Sequence, residues 1–138
     1  MAPSQERIKA IFSPFETQGR QQEFLPHIAE DVDWTILGHS PMSRHYSSRE
    51  DFVTNTIVVL RERMLTEPLR LKVVRVTGGG EGNDWSTVEM ESIDAKCKNG
   101  LVYDMKYCWV IRWEEERMVE VRAYLDTELL TRAMHENP

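Results

Sequence analysis

A chain of 138 residues, 41% hydrophobic and 29% charged, is long enough to bury one core and too short for two domains. A net charge of −6 without any Lys/Arg run argues against nucleic acid and anionic membrane surfaces as partners. No charged-then-apolar leader opens the chain and no apolar run reaches spanning length, so the expected location is cytoplasmic.

Ser4 is placed to cap a first helix carrying Ile8, Ile11, Phe12 and Phe15 at helical spacing, with Pro14 kinking or ending it. A second short helix is expected over residues 22–29, with Phe24, Leu25 and Ile28 on its apolar side. Residues 32–37 read as a strand stopped by Gly38, and residues 39–48 as a loop. Ser48 then caps a helix over residues 49–64, whose apolar positions include Phe52, Ile57, Val58 and Leu60. A strand over residues 69–77 ends in Gly78-Gly79-Gly80. That run lacks the Lys-Ser/Thr of a phosphate loop and reads as a hairpin turn.

The last third carries the strongest pattern. Between Tyr103 and Trp113 the odd positions are Tyr103, Met105, Tyr107, Trp109, Ile111 and Trp113, while the even row is more polar. In the preceding run the odd row is Glu89, Glu91, Ile93, Ala95 and Cys97. The turn Lys98-Asn99-Gly100 admits a two-residue loop, which pairs Glu91 with Cys108, or a three-residue loop with Gly100 left-handed. The second pairs Ile93 with Met105, Glu91 with Tyr107 and Glu89 with Trp109. It keeps the apolar odd rows on one face, so it is the expected register. A loop at Glu114-Glu115-Glu116 sets Val121 beside Trp109 and Ala123 beside Tyr107, and Asp126 caps a final helix from Thr127.

The order is helix, helix, strand, helix, a four-strand meander and a short helix: an α+β domain. Cys97 and Cys108 are expected as free thiols, since one lies inward at the turn and the other outward along the partner strand. His27, His39, His45 and His135 are dispersed, without metal-ligand spacing.

This arrangement, with Glu30-Asp31-Val32-Asp33-Trp34, Gly38-His39-Ser40-Pro41-Met42, Tyr107-Cys108-Trp109-Val110 and the closing Val119-to-Thr127 segment, resembles the SnoaL-like, ketosteroid isomerase-like branch of the nuclear transport factor 2-like superfamily. The resemblance implies a cone-shaped barrel, a curved antiparallel sheet wrapped around N-terminal helices and enclosing one apolar pocket. It implies a homodimer packed through the outer sheet face, here Met90, Cys108, Val110 and Tyr124. It also implies cofactor-independent chemistry on a hydrophobic small molecule. Limonene epoxide hydrolase is similar more loosely. Its Arg and Asp fall near Glu89 and Glu91, its second Asp at Ala123, and its Tyr and Asn at Trp34 and Ile36. The location of that site is kept without its residues.

Glu91 is the first candidate for an acid or base, because burial beside Tyr107 and Met105 raises a carboxyl toward neutrality. The alternative is a structural glutamate held by Arg44, Arg122 or a backbone amide. Glu89 either shares its proton or sits solvated at the rim. Tyr107 and Tyr103 are candidate donors to a carbonyl or enolate. Trp34, Ile36, Met105, Trp109, Val121 and Ala123 are pocket wall or core. His39, Arg44, His45 and Tyr46 border the expected mouth, His39 as a proton carrier and Arg44 as partner to an anionic substrate or to Glu30 or Asp31. The reading is an isomerase or cyclase acting by acid–base chemistry on an oxygenated, hydrophobic molecule of a biosynthetic pathway. The alternatives are a dehydratase or hydrolase on a similar substrate, or a non-catalytic binding protein.

Overall fold

A computed structural model describes the whole chain, Met1–Pro138. The first helix, α1 (Gln5–Phe12), starts where Ser4 accepts the backbone N–H of Arg7 and buries Ile8, Ile11 and Phe12. The expected second helix is two short 3₁₀ turns, Gln21–Glu23 and Leu25–His27. Pro26 supplies no N–H to continue a helix, and strand β1 (Ile28–Ile36) begins directly after. The segment expected as a loop contains a short strand, β2 (His45–Tyr46), paired with β1.

Ser48 accepts the N–H of Asp51 and opens α2 (Arg49–Phe52). The same helix continues through two wider, π-type turns at Val53–Ile57 and Leu60–Met64. Strands β3 (Leu71–Gly78), β4 (Trp85–Ser92), β5 (Lys106–Glu114) and β6 (Arg117–Leu125) form the expected meander. Asp126 accepts the N–H of Leu129 and caps α3 (Thr127–Glu136).

The six strands form one sheet in the order β2-β1-β6-β5-β4-β3. It is mixed rather than wholly antiparallel, because β1 runs parallel to β6. Register shifts in the β1–β6, β3–β4 and β5–β6 ladders help the sheet curve around the helices.

The β4–β5 register departs from expectation. Close to the turn the three-residue loop is present: Gly100 has φ 94°, Lys96 bridges Val102, and the Tyr103 N–H donates to the Ala95 carbonyl at 3.0 Å. One step further, Asp94 takes a left-handed φ of 46° and adds one residue to the first strand. Beyond that bulge the Ser92 N–H donates to the Met105 carbonyl, and the ladder pairs Glu91 with Lys106, Met90 with Tyr107, Glu89 with Cys108 and Val88 with Trp109. The Ser92 hydroxyl closes the gap by donating to the Tyr103 carbonyl at 2.7 Å and accepting the Met105 N–H at 2.9 Å.

The apolar residues of this run change parity between Met90 and Ile93, and the bulge lets both halves face inward. Cys97, Met90 and Val88 are all buried, while Glu89 and Glu91 face out. Met90 therefore leaves the expected outer face. In β6 the face is as expected but the register lies two residues along: Val121 pairs with Ile111 and Ala123 with Trp109. A tight turn pairing Glu114 with Arg117, then an irregularity between Arg112 and Trp113, accounts for both steps. Both cysteines are free, Cys97 buried and Cys108 half-buried. No helix is long and apolar enough to cross a membrane.

Candidate functional site

The concave side of the sheet, α2 and the start of α3 surround one apolar cavity, lined by 16 residues of which 15 are hydrophobic. The centre of a water molecule can range over ≈ 40 Å³ inside it, and the empty space including the mouth is ≈ 490 Å³. Trp34 and Ile36 of β1, Trp109 of β5 and Ala123 of β6 form the floor. That follows from the ladder: Ile36, Ala123 and Trp109 are direct neighbours across three strands. Phe52, Thr56, Ile57 and Leu60 of the long helix form the opposite wall. Ile57 and Leu125 are the only half-buried lining residues and mark the mouth.

Aromatic packing fixes the floor. Trp34 packs against Phe52, stacked with ring centroids 3.7 Å apart, and against Trp109 in an edge-to-face contact at 4.8 Å. Tyr107 meets Trp109 edge-to-face at 6.5 Å. Phe12 and Phe24 support Trp109 from behind.

The cavity has few polar atoms. The Thr56 hydroxyl donates to the Phe52 carbonyl at 2.6 Å, so it is already used within its helix. The hydroxyls of Tyr103 and Tyr107 lie 3.1 Å apart, hydrogen-bonded to each other. Burial pushes the Tyr107 phenol up to about 12, with the hydrogen bond from Tyr103 acting the other way. Burial, with Tyr107 beside it, also holds Tyr103 well above the usual phenol range. Both phenols are thus neutral donors throughout the physiological range. Two hydroxyls joined by one hydrogen bond leave one O–H free for a ligand. The indole Nε1 of Trp34 is buried without a partner.

The cavity lining holds no Asp, Glu, His, Lys or Arg. Glu89 and Glu91, expected inside, lie on the outer face and pair with Arg75 and Lys106, each at 3.2 Å. The Asp94 bulge is the reason, because a one-residue slip moves a strand's side chains to the other face. His39 is exposed. Arg44 is committed elsewhere: it lies 3.8 Å over the Tyr46 ring and grips Asp51 through two hydrogen bonds of 3.0 and 3.1 Å. That contact holds the Asp51 carboxyl below the usual carboxylate range. His45 reaches across to Asp33 at 2.7 Å on the exposed side of β1. Tyr46 is buried with its hydroxyl donating to the Met42 carbonyl, behind the cavity wall. Met105 and Val121 are fully buried core, and Met105 Sδ accepts the Asp126 N–H at 3.3 Å.

Of the candidates named from sequence, the structure gathers Trp34, Ile36, Tyr103, Tyr107, Trp109 and Ala123 at the cavity. It adds Phe15, Met42, Phe52, Thr56, Ile57, Leu60, Leu69, Leu71, Leu125 and Leu130. The helix residues carried a usable signal, since Phe52, Thr56 and Leu60 recur at a four-residue spacing. No group of three or more His, Cys, Asp or Glu side chains is placed to hold a metal ion.

No protein-family model matches the chain. It is 29% identical over 116 residues to the dimerizing cyclase phiC of a fungal species (strain ATCC 74256), a match covering 83% of this chain. The matched region spans only about half (50%) of that curated relative's length. Among solved structures, a nuclear transport factor 2-like protein from Burkholderia thailandensis superposes with a TM-score of 0.73. The two are 19% identical, and 93% of this chain and 95% of the other are covered. A protein from a Jannaschia species, named as a SnoaL-like polyketide cyclase, superposes with a TM-score of 0.65 at 14% identity, covering 96% and 92% of the two chains. The chain therefore has the nuclear transport factor 2-like fold, shared along nearly its whole length with these structures.

Proposed function

We propose that this chain is a cofactor-independent cyclase or isomerase that folds a hydrophobic, oxygenated molecule of a biosynthetic pathway inside the apolar cavity. The observation that carries the reading is the Tyr103–Tyr107 hydroxyl pair, set in a cavity otherwise walled by hydrocarbon. The likeness to a dimerizing cyclase supports the reaction class.

With Tyr103 donating to Tyr107, the Tyr107 O–H is left to donate to a substrate carbonyl. When a neighbouring carbon is deprotonated, negative charge collects on that oxygen, and the paired phenols stabilise it in a site from which water is largely excluded. The cavity lining holds no base. The substrate's reacting carbon must therefore be acidic in its own right, as one flanked by two carbonyls is, and its proton leaves to water at the mouth near Ile57 and Leu125. The walls hold the chain folded so that the enolate carbon attacks a neighbouring carbonyl of the same substrate; that C=O π pair moves to its oxygen, which takes a proton back from the water at the mouth. A hydrolase or dehydratase gains nothing here, because neither a water-activating base nor a strong acid faces the cavity.

Aldol cyclisation of a hydrophobic aryl triketone, followed by loss of the open-chain absorbance, tests this. Tyr107→Phe should lower kcat about 10²-fold with the fold intact, and unchanged turnover would remove Tyr107 from the mechanism. The lack of a charged group in the cavity favours one second reading, a binding protein. That reading is supported if the native protein binds the triketone without accelerating its closure.

The outer sheet face leaves Tyr124 45% and Trp85 36% exposed, beside half-buried Cys108 and Val110. We infer that a second copy of the chain covers it, forming an isologous homodimer. A monomer in sedimentation at about tens of micromolar would remove that inference.

A further inference from the structure

The long helix that walls the cavity is fixed at its ends and loosely held between them. At its start the Arg49 guanidinium donates to the Ile28 carbonyl at 3.0 Å, Arg44 grips Asp51, and the Phe52 ring stacks on Trp34. At its finish Met64 and Leu65 are buried, the Lys98 N–H donates to the Met64 carbonyl at 2.8 Å, and Leu65 bridges Cys97. Between Val53 and Arg63 one hydrogen bond reaches beyond the helix, from the exposed Lys98 ammonium to the Glu62 carbonyl at 2.6 Å. Thr54, Asn55, Arg61, Glu62 and Arg63 are exposed, so nothing packs over the outside of this stretch. Its inner side, Thr56, Ile57 and Leu60, lines the cavity.

The same stretch carries both wide turns. The Val58 N–H donates to the Val53 carbonyl, and the Leu65 N–H to the Leu60 carbonyl at 2.8 Å, each across five residues where an α-helix closes across four. A wide turn fits more residues into the same axial length, so re-winding it toward α geometry lengthens the segment. With both ends fixed, added length bows the middle outward, toward its uncovered side. The one polar residue of the lining belongs to this device: the Thr56 hydroxyl serves the Phe52 carbonyl where the first wide turn begins. The opposite side of the cavity has no such freedom, because Ile36, Ala123 and Trp109 are locked in adjoining ladders.

The cavity as it stands is small. The ≈ 40 Å³ open to a water's centre is space for about three waters, far less than the aryl triketone above would fill. We propose that the long helix sets which molecules the cavity accepts, its middle bowing away from the sheet as the wide turns re-wind. The inference rests on the cavity being the ligand site, and it names the ligand class: neutral ketones whose hydrocarbon part is longer than the space now enclosed. Thr56, Ile57 and Leu60 move with the ligand, while the phenol pair and the tryptophan floor stay in place.

Phenyl alkyl ketones from acetophenone to hexanophenone are titrated into the native protein, and backbone amide exchange is followed with and without hexanophenone. Affinity should rise about three- to fourfold with each methylene, the gain from burying it. Hexanophenone should alter exchange across Val53–Met64 and leave the Lys106–Glu114 strand unchanged. Deleting exposed Arg61 makes the Leu60–Leu65 bond span four residues, which removes one spare residue while both ends keep their buried contacts. That variant should bind acetophenone within about twofold of the native protein and lose the gain from longer chains. Native affinity that levels off or falls beyond acetophenone, or a gain without any change of exchange in the helix, would overturn the proposal. If the deletion variant does not fold, the native series and its exchange decide. A protein that binds the series as expected but closes no triketone would sink the catalytic reading alone. One that closes the triketone with the helix unmoved would sink this inference alone.

Discussion

On the inner face of β4 and β5 lie Val88, Met90, Tyr107 and Trp109, all buried. On the outer face of the same strands lie Glu89, Glu91, Lys106 and Cys108, and the two carboxylates are paired with Arg75 and Lys106. The inner face builds a dry cavity whose only free polarity is a phenol O–H. The outer face carries ion pairs at the edge of solvent. One residue separates these outcomes: were Asp94 paired in the ladder instead of bulged out of it, the register set by the Asn99-Gly100 turn would carry Glu89 and Glu91 inward against Trp109 and Tyr107. A single left-handed position thus decides whether the site contains a base.

Forbidding that left-handed turn should have the largest effect. Asp94→Val puts a β-branched residue where φ is 46°, a conformation such side chains strongly disfavour. If the bulge persists, the strain costs about 1–3 kcal/mol; if position 94 enters the ladder instead, the turn's register carries two carboxylates into a hydrocarbon cavity at still greater cost. The melting temperature should fall by at least several degrees. Asp94→Gly is the matched control, because glycine adopts φ near 46° without strain. Its melting temperature should equal or exceed that of the native protein. Deleting Asp94 should be tolerated, since the Ala95–Tyr103 contact then runs directly into Ser92–Met105 and Glu91–Lys106 with the glutamates still outward. An Asp94→Val protein as stable as the native one would show that the bulge does not set the faces.

The contrast also shows how far the chain could be read unaided. Ser4, Ser48 and Asp126 each cap the helix assigned to them, because a cap depends on residues within one turn. The alternation of β5 and the left-handed Gly100 were equally local, and both hold. What failed was a sum over distance. The bulge was visible only as the change of parity from Met90 to Ile93, which a continuous odd-row reading passes over. The helix before β1 failed because Pro26 sits inside its apolar pattern. The cavity floor was legible from strand periodicity, whereas the helical wall of Phe52, Thr56 and Leu60 depends on how α2 and its wider turns sit over the sheet.

Alkaline unfolding sharpens the comparison from the inner side. Tyr107 titrates near 10.0 when unfolded and at about 12 when buried, so between those values the unfolded chain loses its proton first. Stability from the neutral phenol is fully present below pH 10 and is lost as the pH rises through 12. The loss is about 1.4 kcal/mol per pH unit in that window. Tyr103 is shifted in the same direction by its burial and adds to the slope. Denaturant midpoints measured across the window should fall steeply for the native protein and less for a Tyr103→Phe, Tyr107→Phe double variant. Parallel curves would mean that neither phenol is as enclosed as the cavity geometry requires.

The smallest expected effect falls on the residues that the sequence marks most strongly for chemistry. Glu91 lies on the outer face with its side chain 39% exposed, 3.2 Å from a Lys106 ammonium that is itself 73% exposed. Glu89 is similarly placed against Arg75. Water and salt screen such pairs, so each contributes less than about 1 kcal/mol, and Glu→Gln retains a hydrogen-bond acceptor at the same site. Glu91→Gln and Glu89→Gln should therefore melt within a few degrees of the native protein, about what a sub-kcal/mol change produces. Both should turn over substrate at rates within about twofold, since neither carboxylate reaches the cavity and an effect through the sheet would have to displace Met90 or Tyr107 first. High salt should erase the remaining stability difference. A loss of about 10²-fold in Glu91→Gln, with folding unchanged, would be the signature of a general base. It would mean that the carboxylate enters the cavity during turnover, and that the division between a dry inner face and a charged outer one holds only in the resting protein.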